Sequence, residues 1–255
     1  MHALASLDEI VAWLDAELDI ARYMALEPGS NGLLYRSVAQ PGVSKVAVAV
    51  NTSFQTIVGA ARAGAQLLVV HHTTWPAIDL HLHDEKRSML EQAGLSLYGA
   101  HHSLDTAPGF GNAYALAAVL GLAPGAPFGE LNGGRPGLAC DVGEPFAEFV
   151  QRVSSALGTQ VEAHQHAKTF RRVGIVPGAG GMTSSMDAAL KAGCDTFLTG
   201  EGSMYTRMFA KEAGMNLLFG THHATEAPGI RALGARLGDH ARIEWEFIDE
   251  SPDVF

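Results

Sequence analysis

SKVAVAVNTSFQTIVGAARAGAQLLVVHH (44–72) reads as a strand, a helix and a second strand. SKVAVAVN (44–51) and LLVVHH (67–72) are short apolar runs rich in Val and Leu, the pattern of buried strands. Thr52-Ser53 opens a helix that runs to Ala63, with Ser53 as its N-cap and Gly64 as its stop. Strand, crossover helix and strand make a βαβ unit, which implies a mostly parallel sheet. The unit ends on two adjacent histidines, His71 and His72.

The same alternation extends outward in both directions. A helix is expected at 7–18, another near 84–93, a strand at LSLYGAHH (95–102) and a helix near 111–122. APGAPFGELNGGRPG (123–137) is dense in Pro and Gly and has no periodicity, so it reads as a linker. Beyond it, strands are expected at 138–142, 172–176, 195–199, 215–220 and 241–248. Helices are expected at 145–157, 182–192 and 203–213, with one more running from Glu226 to about Leu237. The fold class is α/β, with mostly parallel sheets and flanking helices, and 255 residues suit one large domain or two small lobes.

Six of the twelve histidines fall in three adjacent pairs, His71-His72, His101-His102 and His222-His223, each after an apolar run. Two pairs lead to an acid, giving His101…Asp105 and His222…Glu226. HHSLDTAPG (101–109) and HHATEAPG (222–229) repeat one pattern, by duplication or by convergence on one local geometry. In parallel α/β sheets, ligands bind beyond the carboxyl ends of strands. Three such ends bearing imidazoles and acids point to one shared metal site. Thr225 as an N-cap, with Pro228 in the first helical turn, would aim Glu226 back at His222.

Imidazoles mixed with carboxylates favour borderline divalent ions: Zn, Mn, Fe, Co or Ni. Two carboxylates also suit a two-metal site, which acidifies bound water and makes hydrolysis its natural chemistry. The remaining histidines, including His81/His83 and His164/His166, lie in polar contexts and read as solvated. PGAGG (177–181) reads as a tight turn or as a loop facing a substrate anion. Ser203 and Tyr205 read as pocket residues, or as a helix cap and a buried ring. No G-x-S-x-G and no Cys/His dyad supports covalent catalysis.

Composition narrows the classes further. The 255 residues are 47% hydrophobic and 17% charged, enough to bury a substantial core. A net charge of −10 without any Lys/Arg run disfavours nucleic acid and anionic membrane. No apolar stretch reaches the ~18 residues of a membrane span. The opening MHALASLDEIVAWLDAEL reads as an amphipathic helix rather than a signal peptide, and only two cysteines, Cys140 and Cys194, occur. A reduced, cytoplasmic setting is expected.

Several motifs, in order, resemble one family: SNGLLYRS (30–37), HHTTW, AHHSLDTAPGFGNAYALAAVLGL, VGIVPGAGG, TGEGSMYTRMFAKEAGMNLLFGTHHATEAPG and EFIDESP. This set is similar to the Nif-three-like dinuclear-metal family, whose bacterial members are labelled GTP cyclohydrolase I type 2 homologues. The resemblance spans nearly the whole chain. It implies two divalent ions held by His71, His72, Asp105, His222 and Glu226. It leaves His101 as either a further ligand or a proton-transfer residue. It also implies a two-lobed α/β subunit in a toroidal homo-hexamer, with a metal-binding lobe at 1–125 and 214–255, a second α/β lobe at 126–213 and the metal site between the lobes. The family's large insert domain is absent. Departures fall beside the ligands: Thr73 replaces a Pro, His102-Ser103 a Thr-Asn, Thr221 a Gly, His223 a Tyr and Tyr205 a His. His102 and His223 therefore read as hydrogen-bonding neighbours of ligands.

The expected function is a dinuclear-metal hydrolase of cyclohydrolase or phosphoester type. Its expected substrate is a small nucleotide- or pterin-like compound, and His101 would move a proton. The rival class is a non-enzymatic metal-binding or metal-trafficking protein, or a protein-interaction scaffold.

Overall fold

The computed structural model describes residues 4–38 and 42–250. His2 and the last two residues of the EFIDESP stretch lie outside them. The chain is mixed α/β and divides into two compact units, Met1–Leu104 with Ile230–Phe255, and Asp105–Gly229.

The chain enters through helices α1 (Leu7–Glu17) and α2 (Ile20–Leu26) and strand β1 (Asn31–Tyr35). Next come β2 (Lys45–Asn51), α3 (Phe54–Arg62), β3 (Leu67–His72), α4 (Pro76–Asp79), α5 (Leu82–Ala93) and β4 (Ser96–Ala100). Ser53 caps α3 as expected: its hydroxyl accepts the Thr56 N–H at 3.0 Å, a contact worth about 1 kcal/mol. Just past α3, Gly64 takes φ +71°, a conformation that costs a side-chain-bearing residue energy.

The first unit's sheet has strand order β1-β4-β3-β2-β11, with the last strand arriving from the far end of the chain. β2, β3, β4 and β11 (Glu244–Phe247) are parallel, and β1 is antiparallel to β4. Val46 to Val50 are fully buried. An unbroken apolar run, rather than alternation, suits a strand whose two faces are both covered. Ile57 and Ala60 of α3 and Leu90 of α5 pack on Ala47, Ala49, Leu68 and Val70.

The second unit contributes α7 (Asn112–Val119), β5 (Pro127–Phe128), β6 (Gly137–Asp141), α8 (Phe146–Leu157) and β7 (Glu162–His164), reached through the short helix α6 (His102–Asp105). It continues with β8 (Arg172–Val176), α9 (Thr183–Lys191), β9 (Thr196–Thr199), α10 (Met204–Ala213) and β10 (Asn216–Phe219). Its sheet order is β5-β6-β8-β9-β10-β7. Alternate residues of β9 and β10 serve opposite faces. Leu198 and Leu218 join Leu116, Phe149 and Val153 on one side. Phe197, Leu217 and Phe219 join Met186 and Ala210 on the other.

This second sheet is less parallel than the sequence implies. Only β8-β9-β10 run parallel, while β5, β6 and β7 pair antiparallel. The unit boundaries also differ from 125/126 and 213/214. β10 lies between β9 and β7, so 214–229 stays with the second sheet. Residues 105–125 join it because Leu116 and Leu120 pack on Leu138 and Phe149. The Pro/Gly-rich stretch is no linker, since Pro127 and Phe128 pair with Leu138 and Gly137 at the sheet's edge.

The last helix, α11 (His222–Ala241), starts four residues before Glu226. Thr225 is therefore inside its first turns and is not its N-cap. The capping contact comes from Thr221, whose hydroxyl accepts the Ala224 N–H at 3.3 Å. Pro228 consequently sits within the helix, where it removes one backbone hydrogen bond.

Candidate metal centre

In the first unit, β3 and β4 are adjacent parallel strands, so their carboxyl ends deliver His71, His72 and His101 to one place. One ring nitrogen from each lies within 4.8 Å of the other two. The ring centroids are 4.6 Å apart for His71–His72, 5.0 Å for His71–His101 and 5.5 Å for His72–His101. His71 is 1% exposed, and Trp75 stands edge-on to His101 at 5.4 Å.

Each of these rings has its Nδ1 against an acceptor. His71 Nδ1 is 2.8 Å from the Ala100 carbonyl, His72 Nδ1 is 2.7 Å from Asn51 Oδ1, and His101 Nδ1 is 2.6 Å from Glu27 Oε1. A neutral ring that donates from Nδ1 carries its lone pair on Nε2, which is how a metal-ligating imidazole is oriented. Glu27 is held in turn by Asn31 Nδ2 at 3.0 Å, and Asn31 Oδ1 accepts the His101 N–H at 3.0 Å. Burial would push the Glu27 carboxyl up, but the His101 hydrogen bond and the charges of His101 and His102 hold it below its ordinary value. His102 stacks on His101 at 4.5 Å with its Nδ1 3.4 Å from Glu27 Oε2.

In the second unit, His222 and Glu226 occupy positions i and i+4 on α11, so one helical turn sets them side by side. His222 Nε2 lies 3.1 Å from Glu226 Oε1, and Nδ1 lies 3.1 Å from Glu201 Oε1. Glu226 is 3% exposed. A carboxylate so deeply buried is stabilised by converging hydrogen-bond donors, a positive partner or a bound cation. Burial would lower the His222 pKa, but Glu226 and then Glu201 raise it above the ordinary imidazole value. A cation bound at His222 would compete with a proton for the ring, which would couple its binding to pH. Asp105 accepts from Asn112 Nδ2 at 2.7 Å, and Asn112 is fully buried at the head of α7. His223 is buried.

The PGAGG turn serves this helix start. The Gly178 N–H donates to Thr225 Oγ1 at 3.0 Å, while its carbonyl accepts from the Gly200 and Glu201 N–H groups, each at 3.0 Å. Ser203 caps α10, accepting from Tyr205 and Thr206 N–H, and Tyr205 is exposed rather than a buried ring. Both line a cleft of about 620 Å³ with Glu201, Gly181, Met182 and Thr183. His83 and His164 are half-buried, bonded to Thr74 Oγ1 at 3.0 Å and Glu162 Oε1 at 2.6 Å, and so are not simply solvated. Cys140 and Cys194 are buried free thiols; burial pushes Cys194 up to about 12, which leaves no thiolate chemistry. No helix among the described residues is long and apolar enough to cross a membrane.

The sequence brought five expected ligands and His101 into view but missed the residues that orient them. Asn112 carried a signal, as a polar side chain opening the apolar helix NAYALAAV. Glu27, Asn51 and Glu201 carried none.

Known proteins are similar to this chain over nearly its whole length. A GTP cyclohydrolase 1 type 2 homolog of Deinococcus radiodurans is 35% identical over 248 residues, covering 95% of this chain and 92% of that protein. The solved structure of protein ybgI, described as of unknown function, has a TM-score of 0.84 at 28% identity and covers 96% of this chain and 98% of its own. TTHA1606 from Thermus thermophilus gives 0.80 at 29% identity, with 96% and 98% covered. The model of the Duf34/NIF3 (NGG1p interacting factor 3) family matches residues 5–254, and this chain belongs to that family.

Proposed function

We propose that the chain holds two divalent ions of the Zn, Mn, Fe, Co or Ni class through His71, His72, Asp105, His222 and Glu226. We propose further that it hydrolyses a small nucleotide- or pterin-like compound. The carrying observation is the meeting of His71, His72 and His101: three neighbouring imidazoles, each with Nδ1 on an acceptor and a ring nitrogen within 4.8 Å of the other two. The buried Glu226 carboxylate beside His222 supports the same reading. When bound, such ions supply Lewis acidity toward a carbonyl or phosphoryl oxygen. His101, held by Glu27, takes and returns a proton at Nε2. The nucleotide class follows the name of relatives such as the Deinococcus protein. A cytoplasmic homo-hexamer completes the proposal.

Elemental analysis of purified protein tests the metal content, with about two transition-metal ions per chain expected from the two-metal reading. Asp105→Ala and Glu226→Ala lower that number, and unchanged stoichiometry in both rejects the ligand set. His101→Gln keeps the metal and loses turnover on nucleotide and phosphoester panels. A loaded wild type that is inert on every panel and exchanges metal readily rejects the hydrolase. Sedimentation velocity tests the hexamer.

A further inference from the structure

Glu250 is nearly fully buried near the end of the described chain, far in sequence from every histidine of the candidate centre. Its position follows from sheet register. β11 pairs in parallel with β2, Phe247 opposite Val48, which brings residue 250 level with Asn51 at the carboxyl end of β2. Four donors converge on its carboxylate. Oε1 accepts from the Asn51 backbone N–H at 3.1 Å and from Asn51 Nδ2. Oε2 accepts from Ser53 Oγ at 2.7 Å and Thr56 Oγ1 at 2.5 Å.

A carboxylate only accepts hydrogen bonds, so the Asn51 amide must turn its NH₂ toward Glu250. Its Oδ1 then necessarily faces the other way, where it meets His72 Nδ1 at 2.7 Å. An amide oxygen also only accepts, so His72 must carry a proton on Nδ1, and the neutral ring then has its lone pair on Nε2.

We propose that Glu250 is a positioning residue that fixes the His72 tautomer through Asn51 and thereby presets His72 Nε2 to bind a cation. The cation part of this inference rests on the proposed metal reading, and the tautomer part does not. The chain of donors and acceptors also sorts the substitutions. In Glu250→Gln, the fixed Asn51 backbone N–H still demands an oxygen opposite it. The new NH₂ group then falls beside the Ser53 and Thr56 hydroxyls, which can accept. Asn51 keeps its orientation, and so does His72. Glu250→Leu removes the acceptor and frees the amide to turn.

Two measurements on the full chain test this, with urea midpoints confirming that each variant is folded. Long-range ¹H–¹⁵N NMR of the metal-free protein reads the His72 tautomer directly. Wild type and Glu250→Gln are expected to show Nδ1 protonated, and Glu250→Leu a mixture of tautomers. Chelator competition with zinc is expected to show a loss of roughly 10–100-fold in Glu250→Leu and near-wild-type affinity in Glu250→Gln. If Glu250→Leu is unfolded, Asn51→Leu takes its place and must give the same mixture. A wild-type His72 protonated on Nε2, or a tautomer unchanged in both Leu variants, overturns the proposal. The expected tautomer pattern in a wild type that binds no zinc keeps the positioning role and removes the metal reading.

Discussion

Gly178 stands where any side chain would collide with Glu226: a Cβ there would lie 1.9 Å from Oε1 and 3.0 Å from His222 Nε2. Its backbone is also left-handed, at φ +62°. The turn between β8 and α9 thus approaches the buried carboxylate as closely as backbone can. Gly178→Ala meets both obstacles together and is expected to destabilise the protein by at least about 1 kcal/mol. It also pushes Glu226 off its place, so bound metal should fall together with the urea midpoint. A variant with wild-type midpoint and metal content would show that the turn does not shape the site.

Thr221 is a second left-handed position, at φ +62°, and it is occupied by a β-branched residue. That conformation costs about 1–2 kcal/mol outside glycine. Its hydroxyl repays part of the cost by capping α11 at Ala224, yet glycine at a cap loses only a few tenths of a kcal/mol. Thr221→Gly is therefore expected to stabilise the protein by roughly 0.5–1 kcal/mol after the greater chain entropy of glycine. Thr221→Ala keeps the strain and loses the cap, so it should destabilise. Thermal unfolding of the pair checks the order, and Ala above Gly would contradict the account.

What the sequence revealed and what it hid have a common cause. LLVVHH and LSLYGAHH were legible because burial on both faces demands continuous apolar runs, and the adjacent parallel strands end together. β1 was missed because NGLLY is short, opens on polar and glycine residues and pairs antiparallel at the sheet's edge. β7 was missed because its residues are mostly exposed, which erases alternation. The His222–Glu226 spacing already fitted one helical turn, but the preceding apolar run made the histidines look like a strand end. Glu27 and Asn51 support His101 and His72 across separations of 74 and 21 residues. No local spacing records such contacts, since only tertiary packing creates them.

Glu162 gives the acid limb of stability a defined window. Hydrogen bonds from Arg207 first, then His164, hold its carboxyl down to about 2 from an ordinary 4.5. A depressed folded pKa contributes stability that is fully present above 4.5 and is lost as pH falls toward 2. The pair is close to half exposed, with side-chain exposures of 41% and 47%, so solvent screening limits the contribution to about 1 kcal/mol or less. Glu162→Gln should flatten stability against pH across that window, and added salt should shrink the difference from wild type. An unchanged pH profile would mean that the pair is not formed in solution.

Asn216 carries a larger share of the second unit's stability than its size suggests. The side chain is fully buried at the start of β10. Its Oδ1 accepts the His166 and Ala167 N–H groups at 2.9 and 2.8 Å, and its Nδ2 donates to Thr169 O at 3.2 Å and Thr196 Oγ1 at 3.0 Å. Leucine has similar volume but satisfies none of the four. Leaving partly buried backbone groups unpaired costs about 1–3 kcal/mol each, moderated where water can reach them. Asn216→Leu is therefore expected to cost roughly 2–4 kcal/mol in urea unfolding. The damage should be local: hydrogen exchange at His166 and Ala167 should accelerate far more than at Phe197 or Leu198 in β9. Uniform acceleration would mean that Asn216 supports the sheet as a whole, whereas selective loss shows that it pins the 165–170 loop to the sheet.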